Sequence, residues 1–564
     1  MRWITRLALG LLAAGALPAP YVMSAAADLI PVDPLVKVFR GETKLPSARP
    51  EADAAVGEHA TIQIVFRSAK SVTDLRATVS GDVPGTVVRL VGYVKVGKPY
   101  NGAPPDTLPS ADRQFPDPLL EDQGIAVAEN RNQPIWITVP ACKPGVLKGV
   151  LTARWTGGEA SQPFAVRVHD IQMKKPRLWV TNWWFADATR LSMLAGHKVE
   201  PFSDEYWKLI HQFGEFMARY HQNVVLVAPL DLVRFSYRGG QWSFDFSRFD
   251  KTVEAFVAAG VIGLIEGGHI GGRGSEDWKS GFLVRVPRAD GGCDNLPAMA
   301  PEAQTFYRQF FPALAGHLKV RGWDKLYRQH LADEPINENA ASYRDIAKLV
   351  HETAPGIRVI EATQTRALVG AVNTWVPILD HLHRDYDFLR QRQQAGDEVW
   401  FYTCCGPTGS YANRFIEQPL IKPRLLHWIN FRYGVTGYLH WGFNCWEPGH
   451  SPFDETMFRW PGGDQWIVYP KNGRLLSDLL AGPWVAALPG LPLLHREDTK
   501  VTEFDAAFLG EDVDDRVERL LDDRLGFQLC TAQFVLDAAD DVGGEYPTSA
   551  FAKRRVTPHR PRQH

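Results

Sequence analysis

The stretch Leu178-Trp179-Val180-Thr181-Asn182-Trp183-Trp184 decides the fold. Its first three residues are apolar and predict a short strand, which begins a long alternation of strands and helices. An open doubly wound sheet usually has a glycine-rich phosphate loop after its first strand, and this stretch contains no glycine. A closed ring of parallel strands needs no such loop. We therefore predict a (β/α)8 TIM-like barrel over residues 177–475.

Further strands and amphipathic segments support this prediction. The other strand candidates are Val224–Val227, Val261–Ile265, Leu326–Leu331, Val359–Ile360, Thr374–Val376, Val399–Tyr402 and Gly437–Trp441. The helix candidates are Ser203–Tyr220, Phe249–Ala259, Pro301–Val320, Asn339–Glu352 and Leu379–Gln394. Ser203 is suited to cap the first of these helices, because its hydroxyl can accept a bond from a free backbone N–H.

The chain changes character on both sides of the predicted barrel. Residues 28–172 contain short strand candidates separated by Pro and Gly, which predict an all-β sandwich domain. No catalytic pattern stands out in this domain, so we expect it to pack against the barrel and steady it. Residues 476–564 form a divergent C-terminal segment, partly helical and with a basic tail that we expect to be disordered.

Residues 1–27 predict a signal peptide. Arg2 and Arg6 precede an apolar stretch, Leu7–Leu17, and small residues near Ala27 suit cleavage. The apolar stretch is shorter than the roughly 20 residues that span a bilayer. We expect a secreted or periplasmic bacterial protein with no stable membrane insertion after signal removal. An uncleaved N-terminal anchor is the alternative.

The amino-acid composition limits the kinds of binding partner that we expect. The 564 residues include 62 Lys+Arg against 64 Asp+Glu, a net charge of -2, so the basic surplus that nucleic acid requires is missing. Aromatic residues are abundant, with 18 Trp, 16 Tyr and 29 Phe. They either fill a core or stack on sugar rings. The oligomeric state stays open.

The cysteines predict no structural metal site. None of the six forms a C-x-x-C pair. Export permits disulfides, and Cys404 or Cys405 could reach Cys445 if their strands are adjacent. The disulfide pattern therefore stays open.

The pair Asp333-Glu334 is the strongest candidate for catalysis. Of the four Asp-Glu pairs in the chain, this one leaves the end of a predicted core strand, and a proline follows it. Side chains at this end of a barrel strand point into the usual active-site mouth. Burial and a neighbouring negative charge both raise the pKa of a carboxyl group, as a general acid near neutral pH requires. A structural or capping role is the alternative.

Other strand exits carry residues suited to a saccharide pocket, because indole rings stack on sugars and polar groups bind hydroxyls. These residues are His269, Glu361, Trp375, Tyr402, Trp441, Asn444 and Trp446. No G-x-S-x-G, H-E-x-x-H or P-loop pattern is present. His269 with Glu266, or His440 with Glu447, lacks convincing ligand spacing, so we predict no metal ligands and no cofactor.

The ordered series of motifs resembles the catalytic domain of glycoside hydrolase family 123 and its poorly characterised bacterial relatives. The residues that carry the resemblance are Asp333-Glu334-Pro335, Trp375-Val376-Pro377, Val399 to Cys405, Gly437 to Asn444 with Trp446, and Gly463 to Pro470. The resemblance covers residues 28–475. It is fairly specific for the superfamily and less so for the substrate.

The resemblance implies a retaining β-N-acetylhexosaminidase, similar to β-N-acetylgalactosaminidases, with substrate-assisted catalysis. It implies that Glu334 protonates the leaving oxygen and then activates water. Asp333 would orient the substrate acetamido group, and Tyr402 would donate to its oxygen. Trp375, Trp441 and Trp446 would form pocket walls.

For His269, Glu361 and Asn444, the expectation is contact with sugar hydroxyls. A non-catalytic carbohydrate-binding protein, or a glycosidase for sugars without an N-acetyl group, remains an alternative.

The end of the chain departs from the pattern of this family. The Arg-rich and acidic helix and the Asp-Tyr-Glu-like signature that usually follow the Tyr-Pro strand are missing after Ser477. The C-terminal segment is therefore either a divergent cap or the product of a shifted reading frame.

Overall fold

The computed structural model describes residues 27–97, 107–172, 178–288, 291–454 and 460–479, with the side chain of residue 172 left out. The predicted signal peptide lies outside this part, except for Ala27, which begins the first strand. The predicted C-terminal segment lies outside it from residue 480 onward. Export, the disordered tail and the shifted reading frame therefore stay predictions.

Ten strands precede the barrel and pair into two five-stranded sheets. They are β1 (Ala27–Val32), β2 (Glu51–Val56), β3 (His59–Ser68), β4 (Val72–Gly81), β5 (Val87–Lys95), β6 (Gln114–Leu120), β7 (Ile125–Val127), β8 (Asn132–Pro140), β9 (Gly145–Trp155) and β10 (Gly158–Gln172). The sheet orders are β1-β3-β8-β5-β6 and β2-β10-β9-β4-β7. Alternate apolar residues of β3 and β9, such as Ile62, Ile64 and Leu151, pack into one core between the sheets. Two mainly antiparallel sheets that share one core therefore precede the barrel.

Fifteen further strands follow in the described residues. They are β11 (Trp179–Asn182), β12 (Val224–Leu226), β13 (Arg234–Arg238), β14 (Gln241–Asp245), β15 (Leu264–Gly267), β16 (Gly271–Arg273), β17 (Phe282–Pro287), β18 (Cys293–Leu296), β19 (Tyr327–Gln329), β20 (Arg358–Thr363), β21 (Thr374–Pro377), β22 (Glu398–Thr403), β23 (Gly437–His440), β24 (Val468–Lys471) and β25 (Arg474–Ser477). Eight of them form one parallel sheet in the order β11-β23-β22-β21-β20-β19-β15-β12. Every strand predicted for the barrel overlaps one of these eight.

The parallel sheet curls into a nearly closed barrel, because its two end strands β11 and β12 lie side by side. Asn223 bridges them: its Oδ1 accepts from the Val180 N–H (2.8 Å), and its own N–H donates to the Val180 carbonyl (3.2 Å). Large side chains fill the interior. Trp400 lies so close to Gly437 that a Cβ there would come within 2.2 Å of its ring.

Nine helices lie in the described residues. They are α1 (Ala188–Ala195), α2 (Asp204–Arg219), α3 (Pro229–Leu232), α4 (Ser247–Ala259), α5 (Pro301–Arg321), α6 (Ala340–Thr353), α7 (Leu379–Arg384), α8 (Tyr386–Gln394) and α9 (Ile421–Tyr433). Ser203 caps α2 as predicted, since its hydroxyl accepts from the Tyr206 N–H. None of these helices is long and apolar enough to cross a membrane.

The predicted alternation of eight strands and eight helices is only partly present. The connection from β20 to β21 has no helix, and none follows β23 in the described residues. The helix predicted over Leu379–Gln394 is broken at Asp385, whose carboxylate accepts from Arg366 (3.0 Å) and Arg384 (2.7 Å). Mixed α/β architecture and an eight-stranded parallel barrel are therefore established, whereas a regular (β/α)8 ring is not.

The N-terminal domain contacts the barrel region directly. The hydroxyl of Tyr469 on β24 donates to Asp117 on β6 (2.5 Å), and the buried Lys37 ammonium donates to the Ile416 carbonyl. Burial lowers the pKa of Lys37 to about 8 and raises the pKa of Asp117 to about 6. These buried polar contacts join the N-terminal domain to the barrel region, and its steadying role stays a prediction.

Candidate active site

Asp333 and Glu334 lie in the loop after β19, at the end of the barrel where the strands lead into their connections. Glu334 has a φ of 49°, a left-handed conformation that is unfavourable for a residue with a side chain. Arg273, which ends β16, donates to the backbone carbonyls of Asp333 (3.1 Å) and Glu334 (2.8 Å). One guanidinium group therefore holds the backbone of both acidic residues and supports the strained conformation.

The carboxyl group of Glu334 is suited to proton transfer near neutral pH. Burial and the charge of Asp333 raise the pKa of Glu334 to about 7, against the opposing effect of hydrogen bonds from Tyr402 and Gln364. The Tyr402 hydroxyl donates to Oε1 of Glu334, and Gln364 Nε2 lies 3.3 Å from that hydroxyl. Tyr402 thus orients the carboxyl group from the end of β22.

Asp333 lies beside a histidine. Its Oδ1 is 3.9 Å from Nε2 of His269, whose positive charge, when present, favours the ionised form. Burial raises the pKa of Asp333, while His269 opposes the increase. Because 51% of the Asp333 side chain is still exposed to solvent, the effect of burial on its pKa is limited.

Behind these residues lies a buried network of two glutamates and a histidine. Nδ1 of His330 is 3.1 Å from Glu361 Oε1, and its Nε2 is 3.2 Å from Glu266 Oε1. Burial lowers the pKa of His330, but hydrogen bonds and charges of the two glutamates raise it to about 10. Burial raises the pKa of Glu361, but His269 and His330 lower it to about 2. The network therefore holds a protonated imidazole between two buried carboxyl groups.

Glu361 also fixes the backbone that leads to the acidic pair. Its Oε2 accepts from the N–H groups of Leu331 (2.8 Å) and Ala332 (3.0 Å) and from the Tyr343 hydroxyl (3.1 Å). Its Oε1 contacts His269 (3.0 Å). The side chain is fully buried, so the predicted contact with sugar hydroxyls does not fit its position. Its place in the structure is that of an anchor beneath the site.

The sequence predicts no metal ligands, yet one group of side chains is close enough to hold an ion. Donor atoms of His269, His330 and Glu361 lie within 4.8 Å of one another. Both ring nitrogens of His330 already contact carboxylate oxygens. A protonated imidazole has no lone pair to offer a metal, so the observed contacts favour a hydrogen-bonded network over a metal centre.

A cavity of about 540 Å³ opens next to Glu334. It is lined by Trp278, Glu334, Gln364, Ile378, Asp380, Cys404, Cys405, Gly406, Pro407, Thr408 and Tyr411. The mixture of aromatic, apolar and polar groups suits a glycan. The thiols of Cys404 and Cys405 lie 3.9 Å apart, and every cysteine in the described residues is a free thiol.

Two of the predicted pocket tryptophans are core residues instead. Trp375 is 1% exposed, and its Nε1 donates to Asp397 (2.9 Å) while its ring packs edge-to-face on Phe388. Trp446 is completely buried and donates to the Val468 carbonyl (2.9 Å). The two side chains pack inside the fold, so neither forms a wall of the cavity.

The two other residues predicted from the exit of β23 also have structural partners. Asn444 is buried, and its amide exchanges two hydrogen bonds of 2.8 Å with the backbone of Phe185. Its amide is therefore occupied and does not fit the predicted hydroxyl contact. Trp441 is only partly buried and donates to Oδ1 of Asp464 (2.9 Å). Burial raises the pKa of Asp464 well above its usual range.

Sequence reasoning missed Arg273 and Trp278. Arg273 ends β16 and Trp278 lies in the loop from β16 to β17, within the antiparallel sheet insertion β16-β17-β18 between β15 and α5. The only available signal was the length of the segment between the third barrel strand and the next helix, which is long for a strand-to-helix connection.

A parallel barrel with an adjacent acid pair beside a cavity of about 540 Å³ is an arrangement suited to a glycoside hydrolase. A comparison with known protein families identifies the family. The profile described as "Glycoside hydrolase 123, catalytic domain" matches residues 183–477, more than half of the chain. The chain therefore belongs to glycoside hydrolase family 123 and is an enzyme of glycan hydrolysis. No curated protein matches the sequence.

One solved structure supports the fold. A family 123 glycoside hydrolase from Clostridium perfringens superposes with a TM-score of 0.66 at 14% identity, covering 82% of this chain and 86% of that one. An endo-β-1,4-mannanase from Thermotoga petrophila covers 60% of this chain and 78% of its own, with 12% identity and a TM-score of 0.33. A β-glucuronidase from Parabacteroides merdae has 10% identity and a TM-score of 0.28, covering 75% and 50%. The last two likenesses are too weak to carry an argument.

Proposed function

We propose that this glycoside hydrolase is a retaining β-N-acetylhexosaminidase with β-N-acetylgalactosaminides as substrates and substrate-assisted chemistry. The observation that carries the proposal is the pairing of a carboxyl group of pKa about 7, Glu334, with an adjacent carboxyl group next to His269. Such a pair can hold one proton and one negative charge at neutral pH. The C. perfringens relative was solved to study glycolipid glycan hydrolysis, which agrees with a glycan substrate.

In the first step, protonated Glu334 gives its proton to the glycosidic oxygen as that oxygen leaves the anomeric carbon. The carbonyl oxygen of the substrate's own acetamido group attacks this carbon and forms a cyclic oxazolinium ion. The leaving group departs with the proton, and Glu334 remains as a carboxylate.

Because the acetamido oxygen is the nucleophile, Asp333 does not have to attack the anomeric carbon and has another task. Its carboxylate accepts a hydrogen bond from the acetamido N–H, which orients the attacking oxygen and offsets the positive charge on the ring. The Tyr402 hydroxyl is the nearest phenol to Glu334 and can donate to the acetamido oxygen once the sugar is bound.

In the second step, the Glu334 carboxylate takes a proton from water, and the resulting oxygen attacks the anomeric carbon. The bond to the acetamido oxygen breaks, and the N-acetyl sugar leaves with its original anomeric configuration. Two inversions at one carbon give net retention.

The deciding experiment compares aryl β-N-acetylgalactosaminide, β-N-acetylglucosaminide and a panel of plain glycosides. We expect hydrolysis of the N-acetyl substrates alone, with the β-anomer as first product in NMR. Replacing the acetamido group by trifluoroacetamido weakens the attacking oxygen, so the rate should fall steeply. Equal rates with both groups, or turnover of plain glycosides, would show that Asp333 has another role.

We also propose that the enzyme acts outside the cytoplasm. The charged start and apolar stretch of residues 1–27 support export. Fractionation of cells that produce the full chain, with N-terminal sequencing of the mature protein, tests this. A chain that keeps Met1 and stays in the cytoplasm would contradict the proposal.

A further inference from the structure

A hairpin loop carries an exposed tryptophan to the cavity beside the catalytic pair. The loop joins β16 to β17, and Trp278 in it is 46% exposed. The same cavity is lined by Trp278 and Glu334. What sets this exposed indole apart is its place at the cavity, where its ring can meet a bound ligand.

The indole is held in place rather than left free. The Arg273 guanidinium stacks on its ring, 3.5 Å from the centroid. The Trp278 carbonyl accepts from Arg273 Nε (3.0 Å) and from Asn339 Nδ2 (3.2 Å). Asn339 is buried at the start of α6 and therefore ties the loop to the barrel. A ring fixed in this way loses little entropy when a ligand stacks on it.

The side of the site on which the ring lies indicates what it binds. Glu334 lines the cavity, whereas Asp333 is not among its lining residues. In the proposed mechanism Glu334 faces the leaving oxygen and Asp333 faces the acetamido group. The presence of Glu334 in the cavity lining therefore favours the leaving-group side for this cavity. Asp380, Thr408 and Tyr411 add polar groups around it that can bind hydroxyls.

We propose that Trp278 is the stacking platform of a subsite for the second sugar ring of the glycan, on the leaving-group side of Glu334. The inference rests on the proposed function and extends it, because it makes the natural substrate an oligosaccharide or glycoconjugate glycan. Arg273 supports the platform and also holds the carbonyls of Asp333 and Glu334. Substitution of Arg273 would disturb both, so Trp278 is the residue to change.

The test measures binding by calorimetry to the full chain and three variants. Trp278→Ala removes the platform and Trp278→Phe keeps a smaller ring. Trp428→Ala is the matched control, because Trp428 is 48% exposed on α9 and is not among the residues that line the cavity. Three ligands are used: an N-acetylhexosamine thiazoline, an S-linked disaccharide with N-acetylgalactosamine at its non-reducing end, and an S-hexyl N-acetylgalactosaminide.

We expect Trp278→Ala to weaken disaccharide binding about tenfold, which corresponds to the loss of one aromatic stacking contact. Trp278→Phe should lose less, and Trp428→Ala should lose nothing. The thiazoline fills the catalytic sugar site alone, so its affinity should stay within about twofold in all variants.

Unchanged disaccharide affinity in Trp278→Ala would overturn the subsite. An equal loss for the thiazoline would place Trp278 at the catalytic sugar and also overturn it. A loss as large for the hexyl glycoside as for the disaccharide would show an apolar aglycone site instead. If the thiazoline fails to bind the unaltered enzyme, the proposed function itself is wrong, and that result is separate from the others.

Discussion

The hydroxyl of Tyr402, at the end of β22, donates a hydrogen bond to Oε1 of Glu334, in the loop after β19. This bond favours the ionised carboxylate, whereas burial and Asp333 favour the protonated form. The opposing effects leave the pKa of Glu334 at about 7. A group with this pKa can both give and take a proton at neutral pH, as a residue that acts first as acid and then as base requires.

Removing the Tyr402 hydroxyl should move the pH profile. In Tyr402→Phe the ionised form of Glu334 loses a donor, so its pKa rises and the alkaline limb of kcat/KM shifts to higher pH. Tyr411→Phe is the control, because Tyr411 lines the same cavity but contacts His383. A pH–rate profile of each variant is the measurement. An alkaline limb that stays in place in Tyr402→Phe would show that the phenol does not act on Glu334.

Substitutions of the two acidic residues should lower activity in different ways. The fall should depend on the leaving group for Glu334→Gln and not for Asp333→Asn. Glu334→Gln cannot protonate the leaving oxygen, so activity should fall by about 10² to 10⁴ on substrates with a poor leaving group. The fall should be smaller with a nitrophenolate, which leaves without help. Asp333→Asn weakens the orientation of the acetamido group, so its loss of activity should be similar for both kinds of substrate. A series of aryl glycosides measures this; identical slopes for the two variants would argue against the division of roles.

The raised pKa of Glu334 predicts a pH-dependent cost to stability. The pKa is about 7 in the folded chain and 4.5 as the reference, so between these values folding takes up a proton. Stability from this group is present below about pH 4.5 and is lost as the pH rises through 7. Glu334→Gln carries no such cost, so its Tm relative to the unaltered enzyme should be higher at pH 8 than at pH 4.

Glu338→Gln, at a half-exposed glutamate nearby, is the control for this series. Its difference in Tm should not change in the same way between the two pH values. If the difference in Tm between Glu334→Gln and the unaltered enzyme is the same at every pH, the Glu334 carboxyl group is not desolvated in the fold.

The buried network should be essential for stability. In Glu361→Gln the protonated His330 loses one of its two carboxylate partners, and two backbone N–H groups lose a charged acceptor. Loss of one partner of a buried ion pair costs about 3–5 kcal/mol. The folded pKa of Glu361 is about 2, below its reference of 4.5, so its contribution is present above pH 4.5 and is lost as the pH falls through 2.

Denaturant unfolding at pH 7 and pH 3 measures this effect, with the exposed Glu302→Gln as control. The difference between Glu361→Gln and the unaltered enzyme should be larger at pH 7. A difference below about 1 kcal/mol at pH 7 would show that the network contributes little.

The barrel strands could be predicted because each is a short apolar run between polar segments. Val399–Tyr402 and Gly437–Trp441 are found almost where their patterns place them. The connection from β20 to β21 could not be predicted in the same way, since the absence of a helix leaves no periodic signal. The residue types at the strand exits indicated a site, but the directions of their side chains could not be predicted from the sequence. Trp375 and Trp446 face the core, while Trp278 in an inserted hairpin lines the cavity.

The sequence by itself determined the order of strands and helices and the acid pair at the fourth strand exit, because periodicity and adjacency are written along the chain. Only the tertiary structure decided which distant groups meet that pair: Tyr402 at the carboxyl group of Glu334, Arg273 at the backbone of both acids, and Glu361 beneath them. The physical reason is that burial, charge and hydrogen bonds between distant residues set a pKa and an orientation. These depend on side-chain directions that arise only when the strands close into a barrel.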